Sequence, residues 1–331
     1  MNQRRSFLKK SIAAIAAVVA APVFLKAQSS QYAEIAKIQD TAPQKLSVLS
    51  YSFHGLVQRG MQDIFGFMET CKYRYHLNTA DLWNGHLAPG KSFVDPNDKA
   101  NYVKLNDEYI AKVKEALDER ELYIPNLACD GCHVLDIDPE ITKITNARAW
   151  EHLKAAKTLG IGFVRIDAGP QMSAGKTDWT NEEFDIIVKH YKEYAQYAYD
   201  NGFKAGAENH MGPSIYWKNM KKLMEAVNHP GFAFCVHIGG WRGTPEEIAL
   251  ADKECAPYAA HTHIAWNICE GPLVQKMNDL RTGGYKGYYS VEHHSGKNEY
   301  EMVAIQLAQV AAVLRSWEMG GDGSEISKIQ I

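Results

Sequence analysis

Short apolar or β-branched runs alternate along residues 45–320 with longer segments in which apolar side chains return every three or four positions. The runs start near Leu46, Asn78, Leu122, Ile161, Phe203, Phe232, Tyr258 and Gly287, at intervals of 26 to 44 residues. Such an interval holds a strand, a loop, a helix and a return loop, the content of one parallel βα unit. The intervening segments are amphipathic. Phe184, Ile187, Val188, Tyr191, Tyr194 and Ala195 share one helical face, while Glu183, Lys189, Lys192 and Glu193 occupy the other. Asn201-Gly202 before Phe203 and Pro230-Gly231 before Phe232 supply short turns into strands. Eight units without a ninth predict an α/β protein with one closed (β/α)8 barrel at 45–320 and a C-terminal tail at 321–331. The alternative, a doubly wound open sheet, lacks support because no G-x-G-x-x-G follows any predicted strand.

The pattern breaks at the N-terminus. Arg4, Arg5, Lys9 and Lys10 precede an uncharged stretch, Ser11–Leu25, that is short for a bilayer span and runs into small residues. This reads as a cleavable signal at 1–27, similar to the twin-arginine type that exports folded proteins, followed by a polar tether at 28–44. The expected location is therefore the periplasm, with no membrane span after cleavage. At 46% apolar and 23% charged, the chain is neither disordered nor a multi-span membrane protein. Without residues 1–27 it carries 31 Lys and Arg against 39 Asp and Glu, a balance of −8. An acidic body lacks the footprint that phosphate backbones require, so nucleic acid is not an expected partner and a small molecule is. An oligomer is compatible with the sequence. Cys129-Asp130-Gly131-Cys132 has redox-motif spacing without a thioredoxin-like context, which leaves loop thiols or a local disulfide open.

In a barrel of parallel strands the chemistry gathers where the strands end. Four consecutive runs end in groups that bind metals. Phe203–Ala207 leads to Glu208-Asn209-His210, Phe232–Val236 to His237, Ala259–His263 includes His261 and His263, and Tyr288–Val291 leads to Glu292-His293-His294. Glu208, His237, His263 and Glu292 thus place two carboxylates and two imidazoles on one rim, a competent ligand set for Mn, Co, Zn, Fe or Ni. A single His at a strand end is ordinarily a packing residue, but four such groups at equivalent positions are not scattered by chance. Two buried carboxylates without a cation would be costly. The earlier strand ends offer a substrate side: His54 after strand 1, Trp83 and His86 after strand 2, Asn126 after strand 3, and Arg165 and Asp167 on strand 4. His210 joins them from strand 5. The Trp83 indole suits the apolar face of a sugar ring, and Arg165 and Asp167 can equally pair with each other.

These residues resemble the xylose-isomerase-like TIM barrels, a family of sugar isomerases and epimerases, over nearly the whole chain after the signal. That family carries Glu after strand 5, Asp after strand 6, His in a His-x-His after strand 7 and Glu after strand 8. Glu208, His263 and Glu292 match the pattern, and His237 stands where the family has Asp. The resemblance implies one divalent metal. The neutral imidazole makes the site one unit more positive, which favours Mn, Co, Zn or Ni over Mg. His261 is expected to support His263 from behind.

The resemblance further implies an isomerase or epimerase that abstracts a proton beside a metal-bound carbonyl, with Glu208 and Glu292 as the catalytic bases. Export points to a non-phosphorylated sugar, since phosphorylated sugars are largely cytosolic. Two alternatives accompany this reading. One is a metal-dependent lyase or hydratase acting on 3-keto sugars or keto-glycosides. The other, of a different class, is a non-catalytic sugar-binding barrel, which would not need the second carboxylate.

Overall fold

The computed structural model describes residues 45–91, 94–98, 102–169 and 176–326. The expected signal and tether at 1–44, and residues 327–331 of the expected tail, lie outside the described residues.

Eight parallel strands form the barrel: β1 (Leu46–Val48), β2 (Leu82–Trp83), β3 (Leu127–Cys129), β4 (Phe163–Ile166), β5 (Lys204–Gly206), β6 (Phe234–His237), β7 (Ala259–Ala265) and β8 (Tyr288–Glu292). They pair in two runs, β1-β8-β7-β6 and β2-β3-β4-β5. Single bridges join the runs into a closed ring, Leu49 with Asp81 on one side and Ala205 with Phe232 and Glu208 with Cys235 on the other. The expected barrel is therefore present. Two strands begin later than their apolar runs. Pairing starts at Thr79 and Tyr123 as an isolated bridge, and the ladder resumes at Leu82 and Leu127. Pro125, which has no amide hydrogen to donate, lies in the gap.

Each strand is followed by a principal helix: α1 (Ile64–Glu69), α2 (Asp107–Glu119), α3 (Pro139–Leu159), α4 (Asn181–Asp200), α5 (Trp217–Val227), α6 (Pro245–Cys255), α7 (Leu273–Thr282) and α8 (Glu299–Glu318). Local chemistry sets their ends. Thr180 with Glu183 and Thr244 with Glu247 form reciprocal capping boxes that satisfy the first free amides of α4 and α6. Asp138 caps α3, Pro139 opens it, and Gly160 closes it in the left-handed region at φ 71°. The stripe read from the sequence for α4 faces inward, with Ile187, Tyr191, Tyr194 and Ala195 fully buried. No helix among the described residues is long and apolar enough to cross a membrane.

Alternation along each strand separates the two cores. On β6, Phe234 and Val236 join the large core beneath the helices, whereas Cys235 points into the barrel with Phe163 and Ala233. Leu49, Trp83 and Ala128 form a separate cluster inside the barrel. At Gly206 β5 lies close against the backbone next to β6, and a Cβ there would stand 1.8 Å from the Ala233 carbonyl oxygen. Because the obstacle is backbone, Gly206→Ala is expected to cost at least the ~1–3 kcal/mol of an overpacked core. Equilibrium denaturation measures it, and an unchanged midpoint would show that the strands separate freely.

Candidate metal centre

Strand register brings the four expected ligands together. Cys235 on β6 bridges to Glu208 just beyond β5, His237 is level with His263 on β7, and Ala265 at the end of β7 is level with Glu292 on β8. The four ligands open onto one cavity of about 120 Å³ inside the barrel mouth, which Leu49, Tyr51, Trp83, Asp130, Arg165, His210 and His294 complete. A larger cavity of about 700 Å³ lies outside the barrel between α2 and α3. It holds none of the strand-end groups, so the chemistry belongs to the smaller one.

Within the mouth, His263 Nδ1 donates to Glu208 Oε1 at 2.8 Å. His237 Nδ1 stands 3.7 Å from Glu208 Oε1 and 3.8 Å from Glu292 Oε2, bridging the two carboxylates. Three triplets of donor atoms, each within 4.8 Å of one another, share His263: Glu208–Cys235–His263 and His237–His263–Glu292 toward the mouth, and Asp81–His261–His263 beneath it. The first contains Cys235, to which the sequence reading gave no role. Its signal was its position two residues before His237, which puts both side chains on one face of β6.

The electrostatics suit a cation. Burial alone would raise the Glu208 carboxyl, but His263 and Arg165 outweigh it and hold the group well below the usual carboxylate range. Burial is likewise outweighed at Glu292 by the His294 hydrogen bond and by His237, so its carboxyl falls to about 2. Burial lowers His237, keeping the imidazole neutral and its lone pair available. Glu292 Oε2 is buried without a hydrogen-bond donor. An orphaned, ionised oxygen beside the neutral His237 imidazole fits a divalent cation shared by Glu208, His237, His263 and Glu292.

Beneath the mouth, Asp81 is fully buried and takes three contacts on Oδ2: His261 Nε2 at 2.7 Å, Ser290 Oγ at 2.7 Å and His263 Nε2 at 3.3 Å. Asn126 Nδ2 donates to its other oxygen at 2.9 Å. His261 therefore supports His263 indirectly, by holding the carboxylate that faces it. Asp81 was not singled out in the sequence because a strand-end Asp carries no mark of what it will touch.

The expected substrate side divides. Trp83 and Arg165 line the cavity, as does His210. Trp83 Nε1 donates to Asp130 Oδ2 at 2.8 Å, and its ring meets Tyr51 edge-on at 4.9 Å. Arg165 NH1 lies 2.8 Å from both Asp130 Oδ1 and Asp167 Oδ2, and its Nε is 3.0 Å from Glu208 Oε2. Asp167 lies behind this pair. It also faces His210 Nδ1 at 3.2 Å, and although burial disfavours the imidazolium, Asp167 raises it to about 9. Asn126, His86 and His54 do not line the cavity. Asn126 is buried against Asp81. His86 is fully buried, with its ring stacked at 5.8 Å on Phe67, and burial lowers it to about 3. His54 Nδ1 meets the Tyr51 carbonyl at 2.9 Å, and its ring stacks on Tyr51 at 4.5 Å. In each case local packing or a buried hydrogen bond claims the side chain that residue type alone had offered to a substrate. Cys129 and Cys132 are free, buried thiols, with Cys132 Sγ 3.7 Å from His152 Nδ1.

Comparison with known proteins agrees with this architecture. No curated protein matches the chain by sequence. Among solved structures, a 3-keto-D-glucoside 4-epimerase from E. coli superposes with a TM-score of 0.58 at 13% identity, covering 82% of this chain and 99% of its own. A probable 3-DHS dehydratase from Bacillus anthracis gives 0.54 at 14%, covering 82% and 98%. The zinc-bound IOLI protein gives 0.59 at 14%, covering 82% and 96%, and a further neighbour was solved with magnesium. At these identities the likeness carries the fold. Sequence membership is separate: the profile described as xylose isomerase-like TIM barrel matches residues 90–316, about two thirds of the chain and seven of the eight principal helices, and so the chain belongs to the xylose isomerase-like TIM barrel family.

Proposed function

We propose that the protein is a divalent-metal-dependent sugar isomerase or epimerase that removes a proton beside a carbonyl of a non-phosphorylated sugar. The observation that carries this reading is the pair of ionised carboxylates, Glu208 and Glu292, set on either side of His237 in a buried cavity. A divalent cation held by Glu208, His237, His263 and Glu292 would polarise the carbonyl and stabilise the charge that develops as the neighbouring C–H bond breaks. Glu292, whose Oε2 has no donor, takes the proton. Glu208 faces it from across His237 and returns it, while Arg165 holds Glu208 in place. Return to the opposite face makes an epimer, and return to the neighbouring carbon makes an isomer.

Two features support an unphosphorylated substrate. Arg165 is the one Lys or Arg lining the cavity among the described residues, and three carboxylates already surround it, so no free guanidinium or ammonium is offered to a phosphate. The paired Arg4 and Arg5 ahead of an apolar run support export to the periplasm, where free sugars are the available class. A second reading, elimination from a 3-keto sugar or keto-glycoside, is favoured by His210. Its charged imidazole lines the cavity and can protonate a departing β-oxygen.

Incubating metal-loaded protein with ketoses, aldoses and 3-keto-glycosides in deuterium oxide separates these readings. Isomerisation or epimerisation leaves deuterium on a carbon of an intact sugar, and elimination yields an unsaturated or hydrated product. Binding without exchange, migration or product would leave a non-catalytic barrel. The ligand set makes a further prediction about the ion. Chelated protein should regain activity with Mn, Co, Ni or Zn well before Mg, and His237→Asp should move the preference toward harder ions. Recovery with Mg alone would contradict the softer site.

A further inference from the structure

We infer that Cys235 is a ligand of the metal centre, so that the site takes a thiophilic divalent cation through sulfur as well as through oxygen and nitrogen. The inference rests on the metal-dependent reading above and deepens it. Cys235 Sγ lies 3.6 Å from Glu208 Oε1 and 3.6 Å from His263 Nδ1. A tetrahedral cation about 2.3 Å from sulfur and about 2.0–2.1 Å from nitrogen or oxygen keeps its donors roughly 3.3–3.6 Å apart. Two edges of the triangle already have that length. The third, 2.8 Å, is the hydrogen bond that a cation would replace.

The thiol's setting argues against simple packing. Cys235 is fully buried on an apolar floor made by Phe163 and Ala233, and its backbone amide donates to Ala207 O at 2.8 Å, which fixes the strand. A cysteine that merely filled this layer would need only apolar neighbours, yet its sulfur meets the two donor atoms of the site. An independent sign that a cation belongs here is the orphaned, buried Glu292 Oε2 in the other mouth-side triplet that shares His263. On ligation the S–H bond breaks, a sulfur–metal bond forms with the same electron pair, and the proton leaves to buffer. No oxidant takes part.

Titration of the metal-free protein with Co²⁺, followed by absorbance and by metal analysis after dialysis, tests this. Expected is one bound equivalent with a near-ultraviolet thiolate-to-cobalt charge-transfer band rising in proportion. Cys235→Ser should bind Co²⁺ without the band, and Cys132→Ser should keep both. Cobalt bound at one equivalent without the band, or a band that survives in Cys235→Ser, overturns the ligand assignment and leaves the metal-dependent reading standing. Failure of the wild type to bind Co²⁺ at all would remove that reading itself. The ¹¹³Cd resonance of the cadmium-loaded wild type reads the same ligand without any variant, and a shift typical of oxygen and nitrogen donors alone overturns the inference.

Discussion

Glu292→Gln is expected to lower turnover by about 10²–10⁴-fold, the usual cost of losing a general base. The substitution keeps the shape of the side chain and removes both the charge and the proton acceptor. Glu292 is the sharper probe of the pair because its Oε2 has no hydrogen-bond donor, whereas both Glu208 oxygens are engaged, by His263 and by Arg165. Glu208→Gln should therefore lower rate together with a larger loss of metal, and Glu292→Gln chiefly rate at a given metal content. Metal analysis must accompany the kinetics. Normal turnover by Glu292→Gln at full metal occupancy would remove the two-base mechanism. An α-deuterated substrate adds a second check, since label that migrates to the neighbouring carbon without exchange would indicate an internal hydride shift.

Arg165→Met is expected to destabilise the metal-free protein by about 3–5 kcal/mol, the range for removing one partner of a buried ion pair. Asp167 and Glu208 are 2% and 1% exposed, and both lose their guanidinium. The sign of the pH dependence should change as well. In the wild type, burial would raise the Asp167 carboxyl, but Arg165 outweighs it and holds the group low. Its stabilising contribution is thus present above the unfolded carboxyl pKa of roughly 4 and is lost as pH falls. Without Arg165 burial dominates and the folded pKa rises, so acidification through that range should restore stability to the variant. Urea denaturation from pH 4 to 8 measures both effects. A loss under about 1 kcal/mol would mean that His210 and His263 already satisfy the two carboxylates.

Some of this was legible in the chain because the fold repeats it. Eight apolar runs at near-regular spacing, each followed by a helical stripe, admit few closures, and the stripe on α4 faces the core as its periodicity indicates. Glu208, His237, His263 and Glu292 were legible for the same reason: each lies at or just past the end of its apolar run, and parallel strands deliver those ends to one rim. The earlier strand ends were harder to read. His54, His86 and Asn126 have suitable residue types at suitable positions, yet a rotamer and a neighbouring ring or carboxylate turn each away from the cavity.

The sequence by itself determined the barrel and indicated the four groups on its rim, because hydrophobic period and strand-end position are local properties that the closed architecture copies into space. Tertiary structure alone decided which further residues meet those groups. Asp81 and His261 are 180 positions apart and touch at 2.7 Å, and Cys235 reaches Glu208 and His263 across two strand pairings. Such contacts depend on register between strands and on side-chain direction inside the barrel, which arise only when the ring closes.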